Sequence, residues 1–165
     1  MTGDWNEPDW VKKGNEAVRF FYCFSRFEYA LKKAGYTKPD KKNAEPDWDR
    51  FANVELQKAF FDNIKTEPKA DILFKEPPRK QIVLSDGKLG CCPKAPDFPY
   101  RPNSVQKLFE YIRCIRNNLF HGGKVPFDSD RDVKLIKAAL FVLEEALKKS
   151  TKVKEAFQAP GDGHG

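Results

Sequence analysis

The spacing of apolar residues predicts helices along most of this chain. From about Glu16 to Ala34 the run is rich in phenylalanine and ends at Gly35, a residue suited to closing a helix. Stepping ~100° per residue, Ala17, Phe20, Phe21, Phe27 and Leu31 all fall within about 60° of Phe24, giving one wide buried face. A second helix is expected from about Trp48 to Ile64, carrying Phe51, Val54, Leu56, Phe60, Phe61 and Ile64 in a less regular pattern. A third begins near Asn103 or Ser104 and stops at Gly122-Gly123. A fourth follows Ser129, whose pairing with Asp132 resembles a capping box, and carries the stripe Val133, Ile136, Leu140, Leu143 and Leu147.

Residues 66–102 break this pattern. Seven of the twelve prolines fall there, and that density predicts no helix. Gln81-Ile82-Val83-Leu84 before Ser85-Asp86-Gly87-Lys88 reads as a short strand entering a turn. The segment is either a functional loop or an insertion packed over the helices. With no repeat and no second composition regime, the expected architecture is all-α: an antiparallel four-helix bundle over residues 1–157, with an irregular proline-rich insertion between helices two and three. A disordered tail is expected over 158–165.

Composition narrows the function classes. Among the 165 residues, 40% are hydrophobic and fourteen are Phe, which excludes wholesale disorder. No apolar run approaches the ~20 residues of a membrane span, and the acidic start Met1-Thr2-Gly3-Asp4 is unlike a signal peptide, so the expectation is a cytoplasmic protein without a membrane partner. The net charge of +6 permits an anionic partner. Cys23, Cys91, Cys92 and Cys114 lack zinc-site spacing and read as free thiols, so neither metal nor cofactor is expected.

The chemistry concentrates in the third helix. Val105, Leu108, Ile112, Ile115 and Leu119 share one arc, with Phe109 at its edge, and Arg116 borders that arc. Arg113, Asn117 and His121 continue around the helix as a polar strip. Two guanidinium forks suit a phosphate. His121 exchanges a proton near neutral pH, and Asn117, one turn away, is placed to orient it or to bind a substrate oxygen. The helix C-terminus favours the imidazolium while the arginines disfavour it, and the two effects oppose. No serine or cysteine stands beside His121 as a nucleophile. Taken alone, this is equally a helix end with a capping histidine and solvated arginines.

Arg116-Asn117, three residues, then His121-Gly122, at the end of a third helix and before an amphipathic fourth, resembles the HEPN superfamily (higher eukaryotes and prokaryotes nucleotide-binding). Phe24-Ser25-Arg26-Phe27-Glu28-Tyr29-Ala30-Leu31 looks like the first helix of its bacterial members, and the resemblance spans roughly residues 16–150. It implies a metal-independent endoribonuclease whose two copies face each other in a composite site. Arg116 and His121 would be the central pair, with Asn117 in support. RNA would be cut by its own 2′-hydroxyl, leaving 2′,3′-cyclic phosphate and 5′-hydroxyl ends. Arg113, Phe120 and Lys124 would bind substrate. Many such proteins are toxins or antiviral defence effectors, some held by an antitoxin or another regulatory protein. Gly123 stands where nucleotidyltransferase-silenced toxins carry tyrosine, which argues against that mode of neutralisation. The same resemblance admits a non-catalytic nucleotide- or RNA-binding or scaffolding module, and a generic helical interaction domain is a further alternative.

Other residues carry paired expectations. Glu28, inside the phenylalanine arc, either pairs with Arg116 or Arg113 or reaches out to water. Phe20, Phe21, Phe24 and Phe27 are expected in the core. Phe120 is either a base-stacking ring or part of a dimer contact. The run Lys148 to Lys154 reads as a solvated helix end. Arg79-Lys80 joins an RNA surface only if the loop folds back over the site.

Overall fold

The computed structural model of the protein describes residues 15–39, 42–91, 102–120 and 129–161. Helix α1 (Glu16–Lys33) starts where the Asn15 side chain accepts from the Val18 N–H at 3.1 Å, a standard N-cap. Gly35 ends it at φ +88°, a left-handed conformation that L side chains adopt only with strain. The Tyr36 amide then reaches the Leu31 carbonyl and the Gly35 amide reaches that of Lys32, closing a Schellman motif.

The expected second helix is present but broken into three. Helix α2 (Trp48–Phe51), capped by Asp47, runs into a π-helical turn at Ala52–Leu56, then into α3 (Gln57–Lys65). The wide turn explains the irregular pattern. At ~100° per residue Phe51 and Phe60 would face opposite sides of one helix, yet both are buried, because the inserted turn rephases the chain. The accommodation strains Gln57, whose φ is +56°.

The proline-rich stretch is more regular than its composition predicts. Pro68 opens a 3₁₀ turn (Pro68–Ala70), where its missing N–H costs nothing, and α4 (Asp71–Lys75) follows in a window free of proline. Strands β1 (Gln81–Val83) and β2 (Leu89–Cys91) pair antiparallel, with Val83 opposite Leu89, around the expected turn at Gly87. The stretch also folds back on the helices. Arg131 donates to the Glu76 and Pro77 carbonyls, and Pro78 lines a small hollow with Ile115, Leu119, Leu135 and Ile136.

Helices α5 (Val105–Phe120) and α6 (Asp130–Leu147) form the second half. Ser129 caps α6 by accepting from the Asp132 amide, the first half of the expected capping box, and its hydroxyl donates to the Asp132 carboxylate. Gly122-Gly123 and the connection after it lie outside the described residues. Instead of a solvated end, residues 148–158 turn at Ser150 and form α7 (Thr151–Gln158), which buries Val153, Ala156 and Phe157. The expected disordered tail is corrected at its start, Gln158, and residues 162–165 lie outside the described residues. Gln158 closes α7, and the Arg26 guanidinium donates to the Phe157 carbonyl at 2.7 Å and also to those of Ala156 and Ala159. A cation at the negative end of a helix satisfies carbonyls that would otherwise lack donors.

The protein is therefore all-α with one small hairpin, and α1 packs chiefly against α6 and α7. Phe27, Trp48, Phe51 and Phe109 meet in an aromatic cluster at its centre, with Phe27 stacked on Trp48 at 5.1 Å. Across the far side, Tyr36 donates to Glu55 on the π-turn, while Lys152 of α7 lies over the Tyr36 ring and 3.5 Å from the Glu55 carboxylate. Burial first, and the Glu55 contact second, push the Tyr36 phenol up, so it stays protonated at neutral pH. No helix among the described residues is long and apolar enough to cross a membrane. Cys23, Cys91 and Cys114 form no disulfide among the described residues, and Cys92 lies outside them.

Glu110 ties the hairpin to α5. Its carboxylate takes Lys107 at 2.8 Å and Lys80, which leads into β1, at 2.5 Å. The Lys107 contact first, and Lys80 second, hold its pKa below the ordinary 4.5. A depressed carboxylate contributes stability above its unfolded pKa and loses it as pH falls through the folded value. Glu110→Gln should therefore lower unfolding free energy by about 0.5–1 kcal/mol at neutral pH, and the gap to wild type should close below roughly pH 4. Urea melts across that range measure it.

Candidate functional site

The C-terminal half of α5 carries the site. Val105, Leu108, Ile112 and Ile115 of its apolar arc are in the core as the spacing predicts, with Phe109 beside them, while Leu119 at the arc's end is half-buried. They anchor the helix in a core shared with α1, α2, α3 and α6, and this fixes the direction in which the polar strip points.

Arg116 sits at the border, half-buried. Its guanidinium lies 5.6 Å from the centre of the Phe24 ring and 5.3 Å from that of Phe120, and its Nη1 donates to the Asn117 side-chain oxygen at 2.9 Å. Asn117 is exposed and so steadies Arg116 from the solvent side. Arg113 folds back along its own helix, its Nε donating to the Phe109 carbonyl at 3.4 Å. Among the described residues, no carboxylate lies within ion-pair distance of either arginine. Two cations thus stand one turn apart with no described carboxylate beside them, an arrangement that suits an anionic ligand.

The Glu28 pairing does not form. Glu28 is half-buried and makes no ion pair among the described residues. Arg116 is held by two rings and an amide and Arg113 by a backbone carbonyl, so neither is aimed at α1's carboxylate. The core reading of Phe21 is also corrected. Phe20, Phe24 and Phe27 are buried, but Phe21 is 47% exposed and packs against Phe120, itself 53% exposed, with ring centres 5.5 Å apart.

The loop contribution was only half visible in the sequence. Asn118, not singled out by the spacing argument, donates to the Arg79 carbonyl at 2.9 Å and so fastens the loop beside the strip. The Arg79 side chain is left exposed, whereas Lys80 is neutralised by Glu110. The signal for Asn118 in the sequence is slight: a second asparagine beside Asn117 on the same helix. His121, Gly122, Gly123 and Lys124 lie outside the described residues, so the geometry given is that of the arginine half of the candidate site. No protein-family model, curated protein or solved structure matches this chain.

Proposed function

We propose that this protein is a HEPN-like, metal-independent endoribonuclease of the toxin or defence type, acting as a homodimer. The observation that carries the reading is the pair Arg113 and Arg116, unneutralised by any described carboxylate and set eight and five residues before His121 in the sequence. Arg116 and Arg113 would hold the scissile phosphodiester, with Asn117 keeping the Arg116 fork in place, and would stabilise the charge that develops on the phosphoryl oxygens. His121 of one copy would take the proton of the 2′-hydroxyl as its oxygen attacks phosphorus. His121 of the other copy would give a proton to the departing 5′-oxygen. The products are a 2′,3′-cyclic phosphate and a 5′-hydroxyl. Arg79, fastened beside α5 through its carbonyl, adds a further cation for the RNA backbone.

The test is incubation of a mixed tRNA and mRNA pool with the protein in EDTA, with end-group analysis of any fragments. Fragments ending in 2′,3′-cyclic phosphate are the expected result. Intact RNA at every protein concentration, alongside measurable RNA binding, would favour a non-catalytic RNA-binding module instead.

A further inference from the structure

We infer that Phe21 and Phe120, with the Arg116 guanidinium beside them, form a stacking platform for one unpaired nucleobase of single-stranded RNA. Single exposed apolar residues are common and need no explanation. Here two large rings from α1 and α5 are exposed together, in contact, and share an arginine. Every other described Phe, Tyr and Trp is at least partly buried. Apolar surface of this kind, left uncovered on a protein with ample core, marks a place where something docks.

The chemistry of the patch selects the occupant. The rings are tilted by 54° and about half of each residue's surface meets solvent, which suits a flat, uncharged π-system. Arg116 adjoins them with no described carboxylate beside it, which suits an anion on the same ligand. A nucleotide within a strand carries both parts: the base lies on the phenylalanine rings and its phosphate meets Arg116. Paired bases present no free face, so the platform takes single strands, and every base has a π-face, so it discriminates weakly among sequences. This deepens the ribonuclease reading by naming the form of RNA and the positioning residue Phe21, which stands outside the Arg-x4-His motif.

The experiment compares binding of a short 2′-O-methyl oligoadenylate, which lacks the nucleophilic hydroxyl, with an abasic oligomer of the same length and charge. Wild type should prefer the base-bearing strand by roughly 5- to 100-fold, the range one stacked base supplies. Phe21→Leu and Phe120→Leu keep apolar bulk and remove the ring. Each should cut that preference toward unity and leave abasic binding unchanged, with thermal melting confirming that both variants are folded. An unchanged preference in both variants overturns the platform. So does a preference that survives while light scattering shows a lost dimer, because the rings would then be a contact between copies. Cleavage in EDTA separates the two readings. Cyclic-phosphate fragments with an unaltered base preference sink the platform alone, while a ring-dependent preference without cleavage supports it and removes the ribonuclease.

Discussion

Arg116→Ala should cut the rate of cyclic-phosphate formation by about 10²–10³-fold, the usual cost of removing a preorganised donor from a developing charge, while leaving the fold intact. The structure makes this separation sharp. Arg116 has no ion pair to lose among the described residues, and its contacts are two ring faces and one amide. Each cation–π contact at a partly exposed site contributes about 0.5–1 kcal/mol, so the expected loss of stability is near 1–2 kcal/mol, too little to unfold a domain of this size. Arg116→Lys keeps the charge and loses the planar fork, and should fall between wild type and Arg116→Ala. His121→Ala should lose about 10²–10⁴-fold if its imidazole moves the protons. The measurement is kcat/KM on one labelled RNA in EDTA, with melting curves beside it. An Arg116→Ala protein that cleaves like wild type would remove Arg116 from the chemistry, and with it the basis of the ribonuclease reading.

How far the sequence carried this picture depends on the element. The buried arc of α5 was legible because five large apolar residues share one face and nothing interrupts the helix. The arc of α1 was legible in kind but misplaced. Centring it on Phe24 weighs only large side chains, whereas Cys23 and Ala30 are also fully buried. Including them turns the centre by about 60° toward Phe27. Phe21 and Glu28 then fall on the border, which is where both are found. Small residues mark where another helix comes closest, and a reading by hydrophobic bulk passes over them.

The second helix and the C-terminus failed for different reasons. A π-turn changes phase by one residue, and no local residue type announces it. By contrast, α7 left a signal in Val153, Ala156 and Phe157 at helical spacing, masked by the surrounding lysines, whose charged ends reach water while their stems cover the helix. Seven prolines were read as forbidding helix across 66–102, although proline blocks only where its ring and missing N–H fall inside a helix. The candidate site is legible only as a spacing, Arg116 to His121, and His121 lies outside the described residues. That the arginine would be held by rings rather than by Glu28 depends on how α1 and α5 pack, which no spacing within one helix contains.

The largest stability effect should come from Phe27→Ala. Phe27 has no exposed surface and touches three rings, stacked on Trp48 and edge-on or tilted to Phe51 and Phe109, at the point where α1, α2 and α5 meet. Removing it loses the transfer energy of the ring and leaves a cavity that three rigid neighbours, each fixed by other contacts, fill poorly. That combination costs about 3–5 kcal/mol, enough to lower the melting temperature by roughly 6–20 °C for a chain of this length. Phe27→Leu keeps most of the volume and should cost about 1.5 kcal/mol or less. Phe21→Ala is the internal control, the same substitution on the same helix less than two turns away. Because its ring is half in water and meets chiefly Phe120, it should cost only about 0.5 kcal/mol, the surface range. Urea denaturation of the three variants reads these differences at fixed m-value. Equal losses at Phe27 and Phe21 would mean that α1 turns a different face to the core, and the exposed ring pair beside Arg116 would have to be given up with it.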